Sequence, residues 1–227
     1  MPLERPSHLP AQLHAAPLRY LWDDTRASKD FPVGDQEVVT LSASATVRAR
    51  MTLCAALYEW IIWRYDGLHE DPAPLLVAEA AWAATVDPAR FAFFEWTREE
   101  WMGPIRGPLW CATTWLRPAI AEGDVHPEEL VDGLQYLTRL ALHVLPQPEL
   151  FQRWLRSVLD RLVTQCPAMS EDPFEDLFDS HCARRRGPIV GRTLFDPARR
   201  VTPDLGAWEL EELLASISRR ANPFLAA

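Results

Sequence analysis

Residues 127–165, PEELVDGLQYLTRLALHVLPQPELFQRWLRSVLDRLVTQ, carry the clearest structural signal in this chain. Leu130, Leu134, Leu137, Ala141 and Val144 recur at threes and fours, and Phe151, Trp154, Leu155, Val158 and Leu162 resume the pattern after Pro146-Gln147-Pro148. Such spacing puts side chains on one stripe of an α-helix, whereas a strand needs alternation by two. Pro127 sits near a first turn, where its missing N–H costs nothing, and Glu128 and Glu129 suit the positive end of the helix dipole. The reading is two helices, 127–145 and 148–165, paired as an antiparallel hairpin.

Outward from this pair, Val47, Met51, Cys54, Tyr58, Ile61 and Tyr65 define one apolar face of a long helix that starts at Ser42 and ends near Gly67. Further helices are predicted over 74–86, 88–102, 108–121, 173–185 and 204–220, with Asp87-Pro88 and Thr202-Pro203 marking two of the starts. Glu37–Leu41 and Gly187–Val190 read as short strands or extended turns. Residues 1–40 hold five prolines and no sustained period, so they read as an extended arm anchored by Tyr20, Leu21 and Trp22 and dispensable for core folding. The expected fold is all-α: one compact domain of about seven to eight helices over 41–227, with an extended Pro-rich arm over 1–40. No repeat of solenoid period occurs.

Composition narrows the function classes. With 48% apolar residues and ten Trp in 227, the chain can bury a sizeable core. A formal charge of −9 repels nucleic acid and anionic membranes and favours a partner with a basic surface. The N-terminus lacks a secretory pattern, and the longest apolar stretch, Leu75–Val86, is too short to span a bilayer, so a cytoplasmic protein is expected. Positive charge rests on 22 Arg and the single Lys29, a bias read as genomic rather than functional. Cys54, Cys111, Cys166 and Cys182 form no CxxC pair and read as reduced thiols, without disulfide, zinc or catalytic role.

Motifs with chemistry are few. Gly103-Pro-Ile-Arg-Gly107 and Gly187-Pro-Ile-Val-Gly191 share the form GPIxG, and with Arg106, Arg186 and Arg192 they offer a candidate anion site, against the plainer reading of rigid interhelical turns. The second loop, GPIVGRT, lacks the spacing and lysine of a phosphate loop. Histidines 8, 14, 69, 126, 143 and 181 show no HxxxH spacing, His181-Cys182 are adjacent rather than facing, and Glu95, Glu99 and Glu100 lack the ExxH partners of a di-iron bundle. No metal or cofactor is expected.

The acidic-aromatic stretch Glu171–Asp179, EDPFEDLFD, offers a docking surface: Asp172, Glu175, Asp176 and Asp179 for steering, Phe174 and Phe178 for anchorage. Its plainer reading is a solvated helix face. Seven aromatics between Phe91 and Trp115 exceed what one helix face buries, so part of that surface is expected to line a pocket or an interface. The leading expectation is a non-catalytic protein that binds another protein, of the immunity or antitoxin type or an adaptor or chaperone. The alternative is a helical enzyme or accessory subunit whose aromatic pocket and arginines hold an anionic small molecule.

Overall fold

The protein is all-helical across residues 3–32, 36–168, 186–218 and 222–226, which are the residues described in this computed structural model. Its helices are α1 (Ala27–Asp30), α2 (Glu37–Ser42), α3 (Val47–Arg64), α4 (Ala73–Ala84), α5 (Gly103–Ala121), α6 (Pro127–Val144), α7 (Pro148–Gln165) and α8 (Pro203–Ser218). Single 3-10 turns cover 88–90, 98–100 and 192–195, and among the described residues the only β-pairing is two isolated bridges, Ala45 with Pro167 and Phe91 with Leu225. The predicted helix 173–185 lies outside the described residues.

The helix α3 is the centre, and it is buried on every side rather than along one face: all its residues from Met51 to Arg64 are buried. It runs alongside α6, with Cys54 near Gly133 and Arg64 near Val144, and opposite in direction to α5, with Tyr58 bonded to Thr113 and Tyr65 near Pro104 through Tyr20. The helices α3, α5 and α6 form the tightest group, α4 packs on α3 and α5, and α7 touches α2 and the 192–195 turn as well as α6. The 127–165 hairpin is therefore one wall of the core and not its axis.

A fully surrounded helix carrying Arg48, Glu59 and Arg64 needs a partner for each buried charge. Arg64 is 0% exposed and donates to the carbonyls of Leu13, His14, Ala16, Pro17 and Val144 at 2.9–3.4 Å. Arg48 donates to Thr85, Val86 and Gly187 carbonyls, and Glu59 meets Arg192 at 2.5 Å. Arg161 on α7 likewise donates to the carbonyls of Leu194, Asp196 and Arg199. Irregular segments hold backbone carbonyls that no helix satisfies, and the five-donor guanidinium fork can serve several at once where a lysine cannot. The arginine bias thus has a structural use.

Residues 3–32 contain no helix longer than the four-residue α1, and they cross the domain as tight turns, with Leu9, Leu13 and Ala15 N–H groups bonded three residues back. What proline density does not announce is how much of this segment is core. Leu3, Leu9, Leu13 and Phe31 are buried, and Leu3 N–H bonds Glu79.

Three local expectations are corrected. Glu37–Leu41 is helical, as α2, because Val38 is wanted in the core between α6 and α7, and a tertiary demand outweighs β-branched propensity. The first long helix starts at Val47 rather than Ser42, with Thr46 Oγ1 capping Ala49 N–H. Helix α5 starts at Gly103, five residues before the predicted 108, although Pro108 lies inside it. Pro108 has no N–H for the Pro104 carbonyl, and the Tyr20 hydroxyl donates to that carbonyl instead. The Asp24 carboxylate caps the same end by accepting from Gly103 N–H.

Candidate functional site

Residues 88–102, predicted as a helix, form a ledge instead. Asp87-Pro88 starts one 3-10 turn, and from Phe91 to Thr97 the chain is irregular and extended before a second turn at 98–100. In this stretch Phe94 and Trp96 turn inward while Phe93, Glu95 and Thr97 face out, a period of two that favours extended chain over helix. The start is pinned by Ala92 N–H to Phe224 O and Ala226 N–H to Arg90 O.

The ledge lies antiparallel along the outer face of α5. The Arg117 guanidinium sits 4.9 Å over Phe93, Trp110 Nε1 donates to Trp96 O at 3.1 Å, Arg98 covers Trp110, and Arg106 covers Trp101. Trp96 stacks on Trp101 at 4.0 Å, and Phe94 packs against Phe224. Between ledge and helix is a cleft of about 250 Å³ walled by Phe94, Trp96, Trp110 and Arg117. Phe93 stands at its edge, 74% exposed. The expectation that the 91–115 aromatics do not all bury is thus met in Phe93, with Phe94, Trp96, Trp110 and Trp115 half-buried. A further exposed aromatic is Trp208 on α8, at 58%.

The three candidate anion-binding arginines are not brought together. Arg106 opens α5 and donates to Glu100 O. Arg186 pairs with Asp124 at 2.6 Å, beyond the other end of α5, about 27 Å away at 1.5 Å per residue. Arg192 is held by Glu59 and the Glu4 carbonyl. Each guanidinium is already engaged inside the fold. The GPIxG echo has a physical content all the same: Gly103 and Gly187 both take positive φ, at +90° and +83°, while a Cβ on Gly107 or Gly191 would fall 2.2 Å from Trp22 Nε1 or 2.5 Å from Glu209 Oε2. One motif is the first turns of α5 and the other a non-helical loop.

Asp172, Phe174, Glu175, Asp176, Phe178 and Asp179, with Cys182, lie outside the described residues. Their flanks are described: Ala168 N–H bonds Ser44 O, and Arg48 N–H bonds Arg186 O, so both ends attach beside the start of α3. Cys54 and Cys166 are buried and Cys111 partly so, all without disulfide partners. Burial pushes the Cys111 thiol up to about 12 and raises Cys54 and Cys166 too, which keeps these groups as unreactive thiols.

A second polar locus was missed because its residues are far apart in sequence. Ser7 Oγ donates to Asp196 Oδ2 at 2.5 Å, and His8 stacks on Trp154, ring centroids 5.5 Å apart and planes at 11°. His8 Nε2 is buried without a hydrogen-bond partner. Burial lowers the His8 imidazole to about 4, against the pull of Asp196 and with the help of Arg192. A histidine depressed in the fold is neutral there while the unfolded chain takes up a proton, so stability is lost as pH falls from about 6.5 towards 4. The expected loss at pH 4.5 is on the order of 2 to 3 kcal/mol. His8→Phe keeps a ring on Trp154 and removes the proton site, so urea unfolding at pH 7 and pH 4.5 should show a flatter profile for this variant. Equal pH dependence in both proteins would disprove the assignment.

No family model, curated protein or solved structure matches this chain. Among the described residues no helix is long and apolar enough to cross a membrane.

Proposed function

We propose that this chain acts by binding another protein, and that the partner docks on the ledge of residues 91–101 over α5. The observation that carries the reading is Phe93, an exposed aromatic ring on a pinned backbone, covered by Arg117 and standing beside a cleft lined with aromatic side chains. Binding energy at protein interfaces concentrates in aromatic and arginine anchors, and a ring whose backbone is already fixed loses little entropy on docking. The acidic stretch with Asp172, Glu175, Asp176 and Asp179, and with Phe174 and Phe178, joins the proposal as the element that steers a basic partner. A neutralising protein of the immunity or antitoxin kind, or an adaptor or chaperone, fits this physical type.

The test is affinity capture from the source cells with three baits: the unaltered chain, Phe93→Ala, and Trp208→Ala as an exposed aromatic elsewhere. A stoichiometric protein should be held by the first and third, and bound at least about 30-fold more weakly by Phe93→Ala, the factor of a 2 kcal/mol hot spot. With that partner purified, changing Asp172, Glu175, Asp176 and Asp179 to their amides should slow association and flatten its salt dependence. Equal affinity of Phe93→Ala and the unaltered chain would remove the ledge from the proposal, and an unchanged association rate would remove the acidic stretch.

A further inference from the structure

Two larger cavities lie on either side of Trp60 and its aromatic neighbours. One, of about 420 Å³ under residues 10–16, is walled by alanine, proline and leucine with Trp60, Gln12 and Gln147, and has no charged side chain. The other, of about 490 Å³, is lined by Ser7, His8, Trp154, Asp196 and Arg199 together with Pro197 and Ala198. Only the second has charged recognition chemistry. We propose that it binds a small organic carboxylate with a flat apolar body.

The charged groups of the cleft define what it can take. Asp196 is not available to a cation, because its carboxylate already accepts from Ser7 Oγ and Ala198 N–H and faces Arg199 Nε at 3.4 Å. It stands beside Arg199 as an ion pair three residues away. The Arg199 side chain, 61% exposed, faces Asp196 with Nε at 3.4 Å as an ion pair, and its two terminal nitrogens bond no protein atom among the described residues. They form a two-donor edge of the kind that grips a carboxylate in plane.

Three arginines, Arg161, Arg192 and Arg199, attach to the 192–199 segment that carries this edge. Arg161 directs its donors to the carbonyls of Leu194, Asp196 and Arg199, and among the described residues no carboxylate pairs with it. Arg192 pairs with Glu59 and Arg199 with Asp196, while the Glu209 carboxylate accepts from Thr193 N–H in the same turn, so Arg161 meets this segment through its carbonyls alone. The same three bonds, with Trp154 Nε1 to Phe195 O at 2.8 Å, hold the loop against α7, so the site is organised before a ligand arrives.

The apolar half of the cleft is the parallel pair His8 and Trp154, whose imidazole is neutral near pH 7. A flat neutral wall next to a planar cationic fork selects a planar carboxylate over a compact anion such as phosphate. The volume lies in the range of small-molecule sites. This site is remote in sequence from the ledge and independent of the protein-binding reading.

The probe is 4-fluorobenzoate, followed by fluorine NMR against the full chain. Saturable binding with a dissociation constant on the order of 1 mM is expected for so small a ligand. Arg199→Gln, a change on an exposed side chain, should weaken it at least about tenfold by removing the charge-assisted pair. Ala198→Trp, which keeps every charge but fills the cleft, should abolish it. Arg117→Gln on the ledge should leave it unchanged, and inorganic phosphate at equal concentration should not displace the probe. Absence of saturable binding, retention of binding in Arg199→Gln or Ala198→Trp, loss of binding in Arg117→Gln, or displacement by phosphate would overturn the proposal.

Discussion

Arg64→Met is expected to lower stability by about 3 to 5 kcal/mol, because five carbonyls lose their donor and each one left buried and unsatisfied costs about 1 to 3 kcal/mol. The side chain is 0% exposed and touches five carbonyls, four of them in the N-terminal turns. Methionine fills the stem of the cavity but donates nothing, so the carbonyls of Leu13, His14, Ala16, Pro17 and Val144 lose their donor, and those shut off from water stay unsatisfied. For a chain of this length the melting midpoint should fall by roughly 6 °C or more. Arg64→Lys should lose most of the same stability despite keeping the charge, because a single ammonium cannot span carbonyls spread over residues 13–17. Calorimetry of both variants checks this, and a fall under about 2 °C for Arg64→Met would show that the clamp is dispensable.

Deleting residues 1–16 should abolish the cooperative thermal transition, which reverses the expectation drawn from proline density. The deletion removes Leu3, Leu9 and Leu13, each at most 4% exposed, and at about 1.5 to 3 kcal/mol apiece their burial contributes roughly 5 to 9 kcal/mol. It also strips three of the five carbonyls from Arg64 and the Leu3 N–H from Glu79. A domain whose whole stability is about 5 to 15 kcal/mol has little left after that. Because the truncation and Arg64→Met act on one network, their effects should not add. A sharp calorimetric transition in the truncated chain would return these residues to the status of an outer covering.

The docking reading rests on residues the sequence only half identified. The excess of aromatics between Phe91 and Trp115 was visible in composition, but which ring faces water was not, because Asp87-Pro88 signals a helix start whether the helix runs one turn or four. The alternation of Phe94 and Trp96 against Phe93, Glu95 and Thr97 was a period-two signal, short enough to lose to the proline cap. The cleft beside Asp196 left no local trace at all: Ser7 and Asp196 are 189 residues apart, and no pattern along the chain says that they touch.

What the order of residues determines by itself is the helical class and most helix positions: 127–144 and 148–165 fall almost where periodicity and proline caps put them, since both signals act within one or two turns. What only tertiary structure decides is the surroundings of each helix. An all-round apolar neighbourhood is what makes α3 the axis, and the Tyr20 hydroxyl is what lets α5 run through Pro108. Arginine, too, looks like a solvated charge from sequence alone. Its carbonyl partners at 13–17, 85–86 and 194–199 are long-range contacts of irregular backbone, and these are set by packing rather than by any local preference.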